Sequence, residues 1–259
     1  MTKVTATATA DFGRPVSVGR RRRFFLVSAA FMLLLVFLGF APTFYLRGAI
    51  PERAAIPLPG YLYVHGAVMT AWYLLFLVQA MLVVSNLTSV HRRIGIIGAV
   101  LAIGVVGLGV YVTLNMVSRL TALGMTPSQL DEMHIEFIVI GNLFQLVAFA
   151  ALVTAAIMLR ARPQTHRRLM FWAFVLTLGQ ALTSNRMLGE FLQSKLPPWL
   201  SLLLVPVISL IGLATHDWST TRRVHPATLF GAAIFFLFLV ATAVVATSPV
   251  GRAFVLRLG

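Results

Sequence analysis

Five polar side chains stand at the ends of long apolar runs, where their types would suit a ligand site. They are His65, Asn115, His134, Glu136 and Arg186. Polar and ionisable groups inside a bilayer are costly, and they mark functional sites by default. If the apolar runs are membrane spans, these residues share one depth near the outer leaflet with Arg119, Asn185 and Glu190. Four helices would then surround a small polar chamber that opens to the outside.

The residue types of this chamber fit two kinds of chemistry. His65 and His134, on different helices, could ligate a haem iron from both faces, and with Glu136 they could hold zinc or iron. In the alternative interpretation these groups are hydrated in the headgroup region, and Arg186 bonds to Glu136 or Glu190. The sequence contains no H-E-x-x-H signature, which is the compact pattern of many zinc sites. A haem b or a divalent metal is therefore a hypothesis that stands beside an ordinary hydrated cluster.

A second set of candidates, His91, His166 and Asp217, stands at the opposite ends of the spans. His91 and His166 could form an inner pair that mirrors the outer one, as in a transmembrane electron carrier. The favoured interpretation is an anchor, in which each His-Arg-Arg opens a helix and its cations reach the lipid phosphates. Asp217 is expected to pair with Arg222 or Arg223.

Four amides, Gln79, Asn142, Gln145 and Gln180, fall in the middle of apolar runs. Hydrogen bonding between helices is the usual role of such residues in membrane proteins. The alternative is a permeation path, in which the polar chamber continues inward past these amides.

The elements that would position all of these residues are membrane-spanning helices. Hydrophobic residues make up 59% of the 259 positions and charged residues 11%, whereas a soluble domain carries about a quarter charged residues. Continuous apolar runs near or above about 20 residues predict membrane-spanning helices rather than barrel strands. Seven runs qualify, at 24–41, 61–85, 94–117, 133–159, 169–188, 199–215 and 227–248. The predicted fold is an all-α polytopic bundle at 23–259, after a disordered cytoplasmic tail at 1–22.

The chain makes nearly the same basic turn twice. Residues 77–93 and 152–168 align with several matches, and both copies end in His-Arg-Arg, 75 positions apart. A third bridge at 221–226 carries the same residue types in another order. This repetition predicts a duplicated hairpin, formed by the second and third spans and by the fourth and fifth. Gly95, Ala99 and Ala102 form a stripe of small residues on the third span, which predicts a close approach by a neighbouring helix.

The distribution of positive charge predicts how the bundle is oriented. With the N-terminus inside, 14 of the 21 basic residues fall on the inner side. These are Lys3, Arg14, Arg20, Arg21, Arg22, Arg23, Arg92, Arg93, Arg160, Arg162, Arg167, Arg168, Arg222 and Arg223. The positive-inside rule then places the N-terminus in the cytoplasm and the C-terminus outside. The net charge of +14 therefore indicates anionic lipids of a cell inner membrane as partners, and no nucleic acid.

Several of these motifs together resemble a family of uncharacterised bacterial multi-pass membrane proteins. The likeness begins with Val64-His65-Gly66, continues through Trp72 and Gln79, and extends to His91-Arg92-Arg93-Ile94-Gly95. Two later stretches, at 166–170 and 217–229, add to it, so the resemblance covers most of the chain after residue 40. It implies a multi-pass fold and brings no activity with it. A distant similarity to the cytochrome b561 layout rests on histidines in neighbouring helices, and the spacing here does not reproduce that family's four ligands.

Two classes of function follow from these patterns. One is a membrane protein with a His-based haem or metal site near the outer leaflet, which would serve electron transfer. The other is a transporter or small-ligand-binding protein that uses the polar chamber, and a purely accessory role is the remaining possibility. None of the three decides whether the chain is an enzyme.

Overall fold

The structure, a computed structural model, describes residues 18–184, 194–195 and 198–259. These residues form helices, and the described part of the chain contains no strand. A π-helical segment (Ala41–Tyr45) directly follows the first helix, and a 3-10 turn (Arg47–Ala49) precedes the short second helix. The helices are α1 (Val18–Phe40), α2 (Pro51–Ala54), α3 (Gly60–Val84), α4 (Thr88–Leu114), α5 (Met116–Ala122), α6 (Pro127–Glu132), α7 (Ile135–Met158), α8 (Pro163–Ser184), α9 (Pro198–Thr221), α10 (Pro226–Thr247) and α11 (Pro249–Leu256).

Six helical segments in the described residues are long and apolar enough to cross a membrane. They are Arg23–Tyr45, Gly60–Val84, Thr88–Leu114, Ile135–Met158, Leu203–Thr221 and Pro226–Thr247. The prediction of an all-α, multi-pass membrane protein is therefore confirmed. The predicted fifth span at 169–188 corresponds to α8, which is not one of the six. Residues 185–188 lie outside the described part of the chain. The 22 described residues of α8 include Arg167, Arg168 and Gln180, whereas the longer α4 continues for 21 residues beyond its own two arginines.

Helix α8 is the centre of the bundle. It packs against α1, α7, α9 and α10, and Tyr73 of α3 donates a hydrogen bond of 3.0 Å to the Phe174 carbonyl. Every residue from Phe171 to Leu178 is buried. In contrast α4 lies at the periphery, where Ile96, Val100 and Ile103 are more than half exposed to the surroundings of the bundle. The two helices that contain a His-Arg-Arg motif, α4 and α8, therefore occupy very different environments.

Both of these helices begin earlier than the apolar pattern predicts. Helix α4 starts at Thr88 rather than 94, and α8 starts at Pro163 rather than 169. A polar first turn adds backbone hydrogen bonds whatever its hydropathy, and proline at the first position of α8 has a backbone angle suited to a helix start. The histidine of each His-Arg-Arg is thus the fourth residue of its helix, and the duplicated hairpin stays a prediction.

The predicted disordered tail needs a similar correction. Residues 1–17 lie outside the described part of the chain, whereas residues 18–22 already belong to α1. Arginine has a high helix propensity, so the basic run before Phe24 continues the apolar helix toward its N-terminus.

The three polar bridges meet at one end of the bundle, which we call the basic end. The rings of His91 and His166 have centroids 6.4 Å apart, and Arg168 hydrogen-bonds Asp217. Asp217 in turn accepts a hydrogen bond of 3.0 Å from the backbone N–H of His225. As predicted, the basic bridges therefore share one side of the molecule.

Candidate functional site

A cavity of about 400 Å³ lies among α1, α3, α4, α5, α7 and α8, and we call it the chamber. Its polar lining consists of His65, Thr113, Arg119, Asn142, Gln145, Thr177 and Gln180. Apolar side chains, among them Met69, Val105 and Leu146, complete the wall. A cavity with this many polar groups can hold water or a polar ligand, whereas a purely apolar cavity of this kind stays dry.

The chamber reaches from one end of the bundle to about its middle. Arg119 follows the C-terminal end of α4, and His65 lies in the second turn of α3. Gln145 is ten residues beyond Ile135, the first residue of α7, which at 1.5 Å per residue places it about 15 Å along the helix. The chamber thus begins at the end of the bundle opposite the basic end and extends inward.

Three amides connect α7 with α8 beside the chamber. Gln180 Nε2 donates to Asn142 Oδ1 at 2.8 Å and lies 3.5 Å from Gln145 Oε1. The predicted hydrogen bonding between helices is therefore present. The same three amides also line the cavity, and a permeation path stays a prediction. Gln79 does not line the chamber. Its buried Oε1 accepts no hydrogen bond from the described residues.

The polar lining carries positive charge and no carboxylate. Neither Asp nor Glu is found among the described residues that line the chamber. No described carboxylate forms an ion pair with Arg119. His65 Nδ1 is buried and has no hydrogen-bond partner in the described part of the chain. A buried polar atom without a partner costs free energy unless a ligand or water satisfies it.

The other outer candidates lie away from the chamber. His134 does not line it, and its side chain is 74% exposed. The chain adopts a left-handed conformation at His134, with φ of 51°, so α7 begins only at Ile135 and the imidazole points outward. His134 Nδ1 lies 3.9 Å from Glu136 Oε1, and Glu136 does not line the chamber either. The structure therefore does not bring His65, His134 and Glu136 together around one ligand.

Two outer candidates remain, Asn115 and Arg186. Asn115 caps α4, because its Nδ2 donates to the Tyr111 carbonyl at 2.8 Å, and it does not line the cavity. Arg186 lies outside the described residues, as do Asn185 and Glu190.

An aromatic layer lies below the chamber, on the side of the basic end. Thr177, at the chamber wall, hydrogen-bonds the Tyr73 hydroxyl at 2.7 Å. One turn further along α8, the ring of Phe174 stacks on Phe76 with centroids 3.9 Å apart and on Trp72 at 4.7 Å. These packed rings separate the polar lining of the chamber from the charged groups of the basic end.

At the basic end, Asp217 and Arg168 form an ion pair whose side chains are both 0% exposed. Arg168 Nε donates to Asp217 Oδ1 at 2.9 Å, and Nη1 donates to the Gln164 carbonyl at 2.7 Å. The other carboxylate oxygen accepts a hydrogen bond of 2.6 Å from Thr228 Oγ1. The expected pairing of Asp217 with Arg222 or Arg223 is therefore wrong. Asp217 faces the core of the bundle, toward α8, and both arginines lie in the exposed bridge.

The inner histidines are close neighbours, as their proposed pairing required. His166 Nδ1 lies 2.8 Å from the Ala156 carbonyl, which fixes its ring beside the end of α7. In the third bridge, His225 Nδ1 accepts a hydrogen bond of 3.1 Å from Ala227 N–H and so caps α10. Burial lowers the pKa of His225 below its ordinary value, and the nearby positive charge of Arg168 lowers it further. The neutral imidazole is the form that accepts this bond.

Metal chemistry finds limited support in this arrangement. The described residues contain no group of three or more His, Cys, Asp and Glu side chains placed to hold a metal ion. The chamber offers one imidazole, that of His65, whereas ligation of haem from both faces needs a second one. Thr113 and Thr177 were missed as lining residues, because a hydroxyl inside an apolar helix gives no sequence signal for the direction it faces.

Comparison with known proteins assigns no family to this chain: no family model matches it, and neither a curated protein nor a solved structure does.

Proposed function

We propose that this chain is a seven-span protein of a cell inner membrane that binds a small polar molecule in the chamber, as a transporter or a ligand-binding protein. The observation that carries the proposal is a cavity of about 400 Å³ with seven polar side chains inside an otherwise apolar bundle. Polar groups in lipid-embedded helices are retained at sites of binding or permeation. Ligand pockets generally measure about 300–1,000 Å³, so the chamber suits a small ligand.

The seventh span in this proposal is α8. Its residues Thr177 and Gln180 line the chamber, and Arg168 belongs to the basic end. The helix therefore runs from one end of the bundle to the other, and neighbouring helices surround it. Seven crossings put the N-terminus and C-terminus on opposite sides, and the basic end faces the cytoplasm under the positive-inside rule.

The topology can be tested with single cysteines, because the chain contains none of its own. Cysteines placed at Ser85 and Arg162 should react with a membrane-impermeant thiol reagent only from the cytoplasmic side. A cysteine at Ser128, in α6, should react only from the outside. Labelling of the cysteines at positions 85 and 162 from opposite sides of the membrane would contradict the proposed orientation.

The binding proposal can be tested by filling the chamber. Val112 lines the cavity, whereas Val100 on the same helix is 64% exposed on the outer surface of the bundle. We expect a panel of small water-soluble metabolites to include at least one compound that raises the melting temperature of the purified wild-type protein. Val100→Phe should keep that response and Val112→Phe should lose it. A panel without any such compound, or an equal response in both variants, would contradict binding in the chamber.

A second candidate is a haem or metal site that uses His65 as a ligand. The buried, unpartnered Nδ1 of His65 favours it, because an imidazole nitrogen is a common metal ligand. Purified protein would then show a Soret band or a stoichiometric metal, and His65→Ala would remove it while His134→Ala would not. The absence of both signals would exclude this candidate.

A further inference from the structure

We infer that the ligand of the chamber is a small organic anion whose carboxylate or phosphate group binds to Arg119. The inference rests on the proposed function, since it names the class of molecule that the chamber takes. Its basis is the charge of the lining: one guanidinium, one imidazole, three amides and two hydroxyls, with no carboxylate among the described lining residues.

Arg119 is the residue that selects an anion. Its guanidinium is charged at any physiological pH, and its planar fork matches the two oxygens of a carboxylate or phosphate. In this structure its charge meets no described carboxylate. A cation next to lipid and protein is costly without a counter-charge, so an anion that enters the chamber relieves this cost.

The rest of the lining indicates what accompanies the anionic group. Asn142 and Gln145 on α7 offer amide groups further inward than Arg119, and Met69 and Val105 provide an apolar surface. A molecule with one anionic end and a short carbon body would satisfy both surfaces. A free organic acid and the phosphate of a lipid headgroup share this chemistry.

His65 provides a second polar contact, from α3. Its Nδ1 is buried and has no partner in the described residues, and neutral imidazole can donate or accept one hydrogen bond there. We therefore expect the anion to be held between α3 and α5, with Arg119 supplying the charge and His65 the orientation.

A matched series of three probes tests the charge preference on the unmodified protein. Benzoate, benzamide and benzylammonium have nearly the same size and shape and differ in charge. In micelles of a neutral detergent, benzoate should raise the melting temperature in a saturable way, and the other two should not. If benzamide stabilises the protein as much as benzoate does, and Val112→Phe abolishes this stabilisation, the preference for an anion is overturned. Binding in the chamber would still stand. If none of the three probes stabilises the protein, the inference that the ligand is an anion is overturned as well. The metabolite panel described above then tests whether the chamber binds any ligand.

Variants assign the effect to one residue. Arg119→Gln should weaken benzoate binding by at least about tenfold, which is the usual effect of losing a charged hydrogen bond. Arg119→Lys should retain part of the affinity, because it keeps the charge and loses the fork. Arg252→Gln is the control, since Arg252 lies exposed on α11 at the same end of the bundle. Equal loss in Arg119→Gln and Arg252→Gln would show a general surface effect and overturn the assignment to Arg119.

Nanodiscs distinguish the two sources of the anion. In phosphatidylcholine nanodiscs, benzoate should bind as it does in detergent, whichever of the two sources supplies the natural anion. In phosphatidylglycerol, a headgroup that occupies Arg119 should compete and abolish the benzoate response, whereas a site for free acids should keep it. Retention of the response by Arg119→Gln in phosphatidylcholine would overturn the inference for both sources.

Discussion

The two His-Arg-Arg motifs of this chain are nearly identical in sequence and nearly opposite in environment. Both start at the fourth residue of a helix, His91 in α4 and His166 in α8. Arg93 is exposed at the periphery of the bundle. Arg168, the equivalent residue of the second copy, is 0% exposed and paired with Asp217. The two motifs thus occupy the same position in their helices, while the last arginine of each has a different environment.

This difference shows that neighbours decide the role of an arginine at a helix start. For the first copy the anchor stays a prediction: Arg92 and Arg93 are exposed, and exposed cations at a membrane surface can reach lipid phosphates. For Arg168 that prediction is wrong, because α8 is enclosed by other helices and its charge cannot reach the lipid. The Asp217 carboxylate replaces the phosphate and joins α8 to α9 and to the start of α10.

The largest expected effect comes from breaking the buried pair. Asp217→Asn or Arg168→Gln should each lower the free energy of unfolding by about 3–5 kcal/mol, because the remaining charge stays buried without a partner. Arg93→Gln, the same change in the first copy, should stay within about 0.5 kcal/mol of wild type. Denaturant unfolding in mixed micelles measures all three.

The double variant sharpens this comparison. Asp217→Asn combined with Arg168→Gln should cost clearly less than the sum of the single changes, since residues in one ion pair are coupled. Additive losses, or an Arg93→Gln variant as unstable as Arg168→Gln, would mean that the buried pair does not distinguish the two copies.

The sequence was sufficient for most of the fold because lipid imposes a simple rule. Apolar runs of span length become helices, and six of the seven predicted runs correspond to candidate spans. The helix ends were less predictable. Hydropathy marks where a helix meets lipid, whereas α4 and α8 continue through a polar first turn to Thr88 and Pro163.

The site was predictable only in part, because tertiary contacts decide which polar groups meet. His65 and Arg119 were at the expected end of the bundle, and both line the chamber. His134 was expected at the same depth, yet the turn at its own backbone directs the imidazole outward. The partner of Asp217 is 49 positions away in the sequence, and local spacing favoured the nearer Arg222.

A smaller effect on stability is expected from two glycine substitutions, one at a position packed against α8 and one on the peripheral α4. A Cβ added to Gly231 of α10 would clash with the indole ring of Trp172, which is fully buried in α8. Gly231→Ala should therefore lower the free energy of unfolding by about 1–3 kcal/mol through overpacking. Gly107→Ala on α4 meets no atom within 4 Å and should be neutral or slightly stabilising, because alanine has the higher helix propensity.

The space around Gly95 corrects part of what was expected of the third predicted span. No atom lies within 4 Å of a Cβ placed on Gly95, so this member of the predicted small-residue stripe does not mark a close helix approach, whereas Ala102 of the same stripe is buried. Gly95→Ala should behave like Gly107→Ala. A destabilisation of either α4 variant equal to that of Gly231→Ala would contradict the peripheral position of α4.

The smallest effect concerns the response of the third bridge to acid. The pKa of His225 is lowered by burial and by Arg168, while Asp217 acts in the opposite direction and Arg167 and Arg223 add repulsion. The unfolded chain, with a histidine pKa of about 6.5, then binds a proton more readily than the folded one. The stability that the neutral ring contributes is complete above this pH and is lost as the pH falls toward the lower, folded value.

Melting temperatures at pH 7.5 and 5.5 test this titration. His225→Asn keeps a side chain that can cap a helix N-terminus and removes the titrating ring, so its melting temperature should fall less on acidification than that of wild type. His134→Asn changes an exposed histidine at the other end of the bundle and serves as the matched control. If both variants keep the wild-type pH dependence, acid does not act through the cap of α10, and the buried pair beside it holds regardless of the charge on His225.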